Sequence, residues 1–211
     1  VALYVPGQAP VYVPLQHHYL KTPAQLGGGL VAQVLGPLFA DAALRKQMYG
    51  LKDAQLALQQ LGLGSAARPP LQGVDADPAL CSYLLDPGLD HSLAALCERH
   101  LRPDAAAPKA RAGQAARGPA GSRDLEGEEV SQVAQSVAAE AEAAYVLGGL
   151  LRAALPEPAL LLLDQMEIPL AALLATIERH GVCLDSAVLH RLSGELAERL
   201  KALEADVAKA A

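Results

Sequence analysis

A mixed α/β chain in which helix dominates is what this sequence predicts, on three observations. Of 211 residues, 42 are Ala and 39 are Leu, so 81 positions carry two strong helix formers. Aromatic residues are scarce: no Trp, one Phe (Phe39) and six Tyr, so the core must be aliphatic. Near the amino end, LYVPGQAPVYVPL (3–15) places two short Val- and Tyr-rich runs around Pro6-Gly7-Gln8-Ala9-Pro10, the pattern of a β-hairpin. The length suits one medium domain, or one domain and part of another.

The helices follow in order. From Leu30 to about Ala43, Val31, Val34, Leu35, Leu38 and Phe39 recur at helical steps. A second helix is predicted from Lys52 to Leu61, with Gly62 and Gly64 as its stop. Asp77 reads as the N-cap of a third, with Pro78 in its first turn and Asp86-Pro87-Gly88 after Leu85. Asp90-His91-Ser92 caps a fourth that reaches about Leu101. From Arg102 to Glu129 apolar periodicity vanishes, and five cations (Arg102, Lys109, Arg111, Arg117, Arg123) precede four anions (Asp124, Glu126, Glu128, Glu129). That stretch, 102–129, is predicted to be a disordered insertion, a solvated linker rather than a nucleic-acid arm.

Helical pattern resumes from Val130 to about Ala154 and, past Pro156 and Pro158, from Leu160 to His180, where Gly181 ends it. Val182–Asp185 is a short extended piece that leads into a cap. In the last helix Leu189, Leu192, Leu196, Leu200, Leu203 and Val207 follow at spacings of 3, 4, 4, 3 and 4, a heptad-like seam that calls for a partner helix.

A net charge of −6 gives no overall cationic footprint, which argues against a small nucleic-acid-coating module. The three cysteines, Cys81, Cys97 and Cys183, lack paired spacing, so neither a disulfide scaffold nor a zinc site is signalled, and each reads as a small core residue. Uninterrupted apolar runs such as Ala159–Leu163 fall far short of the roughly 20 residues that span a bilayer, so no membrane segment is expected. The chain opens on Val and stops within a helical pattern, which suggests a piece of a longer protein.

Chemistry-bearing residues are few. Acids sit at helix starts (Asp77, Asp90, Asp185) or on helix surfaces (Glu195, Glu198, Glu204), where capping and solvation explain them. His17 and His18 are adjacent and on a strand point to opposite faces, so a shared metal is disfavoured. Gly27-Gly28-Gly29 lacks the phosphate-loop pattern and reads as a turn before a helix.

One segment goes further. MEIPLAALLATIERHGVCLD (166–185) resembles the start of the polymerase domain of family A DNA polymerases, whose pattern is roughly EMPLVPVLxxMExxGVxxD. Glu167, Pro169, Leu170, Leu174, Glu178, Gly181, Val182 and Asp185 match, and SGELAERLKALEADV is similar to the first long thumb helix. Upstream, APVYVPLQHHYLKTPAQL resembles AxYIPxxHxYLxAPxQL, and DPALCSYLLDPGLDHSLAALCERHL resembles DTMLxSYLLxPxxxxSLxxLxxRxL.

The resemblance implies a ribonuclease H-like, 3′-5′ exonuclease-like α/β domain over 1–153 and the helical start of a polymerase thumb over 154–211. It implies DNA as the partner of the parent, Mg²⁺ as the parent's metal, no membrane, and the rest of the polymerase domain packed on the 186–211 helix. It implies a bacterial nucleoid or an organelle as the place of work.

Departures from the family pattern set the expected activity. The family's NxKxD-type motif corresponds to Tyr49-Gly50-Leu51-Lys52-Asp53-Ala54, with Gly50 for Asn and Ala54 for the metal-binding Asp. Its YxxxD motif corresponds to Val137-Ala138-Ala139-Glu140-Ala141, with Val137 for Tyr and Ala141 for Asp. The first metal-binding strand of the family finds no counterpart. Asp53 and Glu142 lie one residue away, about 100° around a helix. The expectation is therefore no catalytic or metal-binding residue in this segment, hence no proofreading and no cofactor. Two alternatives stand beside it: an inert interaction domain derived from such a polymerase, and an exonuclease using Asp53, Asp77 and Glu142 in shifted positions.

Overall fold

The computed structural model describes residues 1–65, 68–101 and 125–210. Most of the predicted insertion, 102–124, lies outside them. The chain forms two compact units, Val1–Arg179 and His180–Ala211. Among the described residues it is a mixed α/β protein, mostly helical, with two small sheets.

The first unit opens with the expected hairpin. β1 (Ala2–Leu3) pairs antiparallel with β2 (Val11–Tyr12), Ala2 opposite Tyr12 and Leu3 opposite Val11. α1 (Gly28–Ala40) begins slightly before the first periodic residue. β3 (Lys46–Gln47) and β4 (Val74–Ala76) then pair in parallel, with α2 (Leu51–Gln60) in the crossover. Strands of two and three residues are too short to show alternation, so this pair carries no period for sequence reading to detect.

α3 (Pro78–Leu85) and α4 (Leu93–His100) start where their caps place them: Asp77 accepts from the Ala79 amide and Ser92 from the Ala95 amide. α5 (Val130–Ala154) is the long helix against which both sheets, α3 and α4 lie. α6 (Glu157–Leu162) starts three residues before the predicted Leu160, because Pro158 occupies its first turn, where a missing N–H is no loss. A π-helical turn (Leu163–Glu167) joins it to α7 (Ile168–His180).

That turn has a packing reason. One apolar cluster gathers Ala76, Cys81, Leu96, Cys97, Leu147, Leu151 and Leu163; another gathers Leu51, Leu58, Leu71 and Ala171, and Ile168 touches both. The wide turn shifts the helical phase so that Leu163 and Ala171 can each reach its own cluster.

The helical run Glu157–His180 also corrects the membrane expectation. At 24 residues it is long and apolar enough to cross a bilayer by length and composition, although interrupted by polar residues that break every uninterrupted run. Within it Leu163, Ala171 and Ala175 are buried and Asp164 pairs with Arg152, while Leu161, Leu170, Leu173, Leu174 and Ile177 are exposed.

The last five residues of the predicted insertion are also held, against expectation. His18 N–H donates to the Glu126 carbonyl at 2.8 Å, and His17 Nδ1 donates to the Glu128 carbonyl at 3.0 Å.

The second unit begins at the end of α7. Gly181 takes φ +67, the left-handed conformation that terminates helices. Asp185 Oδ1 accepts from the amides of Ala187 and Val188 at 3.0 and 3.2 Å, capping α8 (Ser186–Ala210) as predicted. Cys183 is exposed, so the reading of all three cysteines as core residues holds only for Cys81 and Cys97. It sits between a helix-ending glycine and a cap, where the chain has no apolar layer to enter.

Candidate functional site

The positions singled out for metal chemistry start at the amino end of α2. Gly50 precedes the helix at φ +76 and ψ 52, in the left-handed region. Besides Gly, that region admits Asn most readily, so the Asn expected from the family pattern would fit the same backbone. Beside it, Tyr49 Oη donates to the His91 carbonyl at 3.2 Å.

Asp77 lies at the heart of this corner. It is 2 % exposed. Its Oδ2 accepts from the Leu51 amide at 2.8 Å and its Oδ1 from the Ala79 amide at 2.9 Å. One carboxylate thus caps two helices, α2 and α3. Burial pushes its pKa up, while the amides of Leu51, Ala79, Gly50 and Leu80 pull it back. The cap on α3 was legible from Asp-Pro; the bond to Leu51, 26 residues away, had no local signal.

Ala54 lies in the second turn of α2, partly buried, and Val137 and Ala141 sit one turn apart on α5, also partly buried. None carries a group that could bind a cation. The displaced acids do not replace them. Asp53 is largely exposed, with Lys52 Nζ at 3.6 Å, and that same ammonium binds Glu178 Oε1 of α7 at 2.6 Å. Glu178 is the larger cause of the raised Lys52 pKa. Among the described residues no group of three or more His, Cys, Asp or Glu is arranged to hold a metal ion. A two-ion site needs several carboxylates on one point, and Asp77, turned onto two amides, does not fit that need.

The histidine pair separates, but not on a strand as expected: β2 ends at Tyr12, and both residues lie in the loop that follows it. His17 is buried, with its ring between the Tyr12 hydroxyl (2.7 Å from Nε2) and the Glu128 carbonyl. A carbonyl only accepts, so Nδ1 carries the proton and Tyr12 donates to Nε2. His18 is exposed, 3.6 Å from Glu126. Gln25 completes the clamp, accepting from His17 N–H at 2.8 Å and donating to its carbonyl at 2.7 Å. Burial also lifts the Cys81 thiol to about 11, so it is inert at neutral pH.

A further polar anchor escaped sequence reading. Arg152 forms a two-pronged bond with Asp164, 2.7 Å on each arm, and donates to the Asp75 carbonyl at 2.6 Å. It ties the end of α5 to the π-helical turn and to β4. The Arg152 guanidinium holds the Asp164 carboxyl below the usual carboxylate range.

Relatedness fixes the lineage. Over 207 residues the chain is 33 % identical to DNA polymerase I of Pseudomonas aeruginosa, a match covering 94 % of this chain. Over 210 residues it is 30 % identical to DNA polymerase I of Synechocystis sp., covering 97 % of the chain. The chain belongs to the family A DNA polymerases. It spans about a fifth of the length of these curated relatives, 21 % and 20 %. No protein-family model matches the chain. Within a family A polymerase, the corner around Gly50, Ala54 and Asp77 is built as a junction between helices.

Proposed function

We propose that this chain is the exonuclease-like part of a family A DNA polymerase, of ribonuclease H-like fold, continuing into the first thumb helices. The amino-terminal part braces the polymerase and does not proofread. The observation that carries this reading is Ala54 and Ala141 at the positions where the family's motifs place metal-binding acids, with Asp77, the buried carboxylate nearby in sequence to neither, committed to capping two helices. Without converging carboxylates there is nothing to hold Mg²⁺ or to orient a hydroxide.

The bracing role is supported by what replaces the metal site. Lys52, two residues from Ala54, binds Glu178 of α7, and Ala171 of α7 packs with Leu51 and Leu58 of α2. The helix that would have carried a metal ligand carries a contact to the segment that resembles the polymerase start. DNA is the partner of the parent protein, Mg²⁺ its metal, and replication or repair its setting, in a bacterial cytoplasm or an organelle.

The test is direct. The purified chain incubated with end-labelled single-stranded DNA and Mg²⁺ or Mn²⁺ leaves the substrate at full length. Metal-dependent shortening from the 3′ end that is lost in Asp53→Asn overturns the reading in favour of a shifted site.

A further inference from the structure

The amino group of Lys46 sits in a cage of main-chain carbonyls. Its Nζ donates to the carbonyl oxygens of Asp41 at 2.7 Å, Leu44 at 2.8 Å and Gln72 at 2.8 Å, which engages all three N–H groups of an ammonium.

The walls of this cage are fixed by bonds that do not use the Lys46 side chain. Asp41 follows the end of α1, and its Oδ1 accepts from the Ala43 amide at 2.8 Å, which turns the chain back on itself. Gln72 N–H donates to the Phe39 carbonyl at 2.9 Å, so the opposite wall is pinned to the last turn of α1. The Lys46 amide donates to the Gly73 carbonyl at 2.9 Å. Gly73, at φ +69, passes against the carbonyls of Asp41, Ala42 and Leu44, where a Cβ would collide.

Oxygens gathered in this way call for a cation. α1 has no basic residue in its last turn, so its negative pole is answered from outside the helix, by Lys46. Burial lowers the pKa of this ammonium and the Asp41 carboxylate raises it, the carboxylate being the charge that favours a cation here. The oxygens stand at hydrogen-bond distance from the cage centre. That is wider than the roughly 2.3–2.6 Å that suits Ca²⁺ or the roughly 2.0–2.1 Å that suits Mg²⁺.

We propose that the loop 41–44 and Gln72 form a binding site for a primary ammonium ion, which this chain fills with its own Lys46. Two of the three bonds lie at the surface, so an ammonium ion from solvent reaches the cage once the side chain is cut back. Lys46→Ala removes Cγ, Cδ, Cε and Nζ, a missing piece with the shape of n-propylammonium. The site does not depend on the proofreading reading of the amino-terminal part.

Urea unfolding of the full chain tests it, in n-propylammonium chloride against an equal concentration of tetramethylammonium chloride, which has the charge but no N–H. Lys46→Ala is expected to unfold at lower urea than the unsubstituted chain, because three carbonyls lose their donor. It is expected to recover in n-propylammonium: for a site half-filled at about 0.1 M, about 1 M ligand lowers the unfolding constant about tenfold. The unsubstituted chain has its cage filled, and Lys46→Met blocks it with a stem that has no donor, so neither distinguishes the two salts. If Lys46→Ala is unfolded in buffer, refolding in n-propylammonium but not in tetramethylammonium, followed by circular dichroism, reads the same binding; a chain that stays unfolded in both overturns the proposal. Equal stability of Lys46→Ala and the unsubstituted chain overturns it, as does a loss of stability that the two salts leave alike. A response to n-propylammonium shared by all three proteins overturns it as well.

Discussion

Asp77 shows how much one side chain can hold. Replacing it with Ala orphans the amides of Leu51 and Ala79 together, each cap being worth about 1 kcal/mol, so urea unfolding of Asp77→Ala should show a loss of about 2 kcal/mol or more. Asp77→Asn keeps one acceptor and should lose less. Its titration runs opposite to that of a paired surface acid. Burial raises its folded pKa, so the folded chain holds this proton more tightly than the unfolded one. The stability it contributes is fully present below the ordinary value of 3.8 and is lost as pH rises through the raised folded value. Unfolding measured across that window should be flatter in Asp77→Asn. Asp164 has the reverse sign, its contribution appearing above the ordinary value and fading as pH falls through its lowered one. From the sequence, Asp77 was readable as a cap of α3 because Asp-Pro is a local signal. Its second bond, like Arg152 to Asp164, depends on how distant segments meet.

Elements with their own punctuation were legible, and those held by tertiary contact were not. α2, α3, α4 and α8 start or stop on Gly, Asp or Ser signals, and their observed limits follow those signals closely. β3 and β4 have no such signal. Their pairing rests on Gly73, which at φ +69 brings its backbone against the carbonyls of Leu44, Ala42 and Asp41. α5 in turn reaches β4 through a gap left by a missing side chain: a Cβ on Gly148 would stand 2.8 Å from Gln47 Oε1 and 3.3 Å from Ala76 Cβ. Gly148→Ala should therefore destabilise by about 1–3 kcal/mol even though alanine favours helix, measured as a lowered urea midpoint. A gain in stability would show that Gln47 simply moves aside. The π-helical turn is equally hidden in sequence, since it answers to two clusters at once.

For the molecule as a whole, the three cysteines report opening without any added probe. Cys81 and Cys97 are buried and Cys183 is exposed, so a thiol reagent should titrate one group per folded chain and three in denaturant. The slow reaction of the other two should track unfolding of the first unit. Two fast thiols in the folded chain would contradict the burial of Cys81 and Cys97. The reading of 102–129 as a linker shows where sequence stops being informative. Composition identifies a stretch without periodicity, yet it could not foresee that Glu126 and Glu128 are gripped by backbone and ring groups of His17 and His18. That grip makes the molecule a host for foreign sequence. The chain leaves α4 at Leu101, whose amide bonds Cys97, and returns at Glu126, so both ends are fixed whatever joins them. Each doubling of the joining length costs only about 0.6 kcal/mol of closure entropy. A whole reporter domain grafted between those two points would ride on this scaffold without asking α4 or α5 to move.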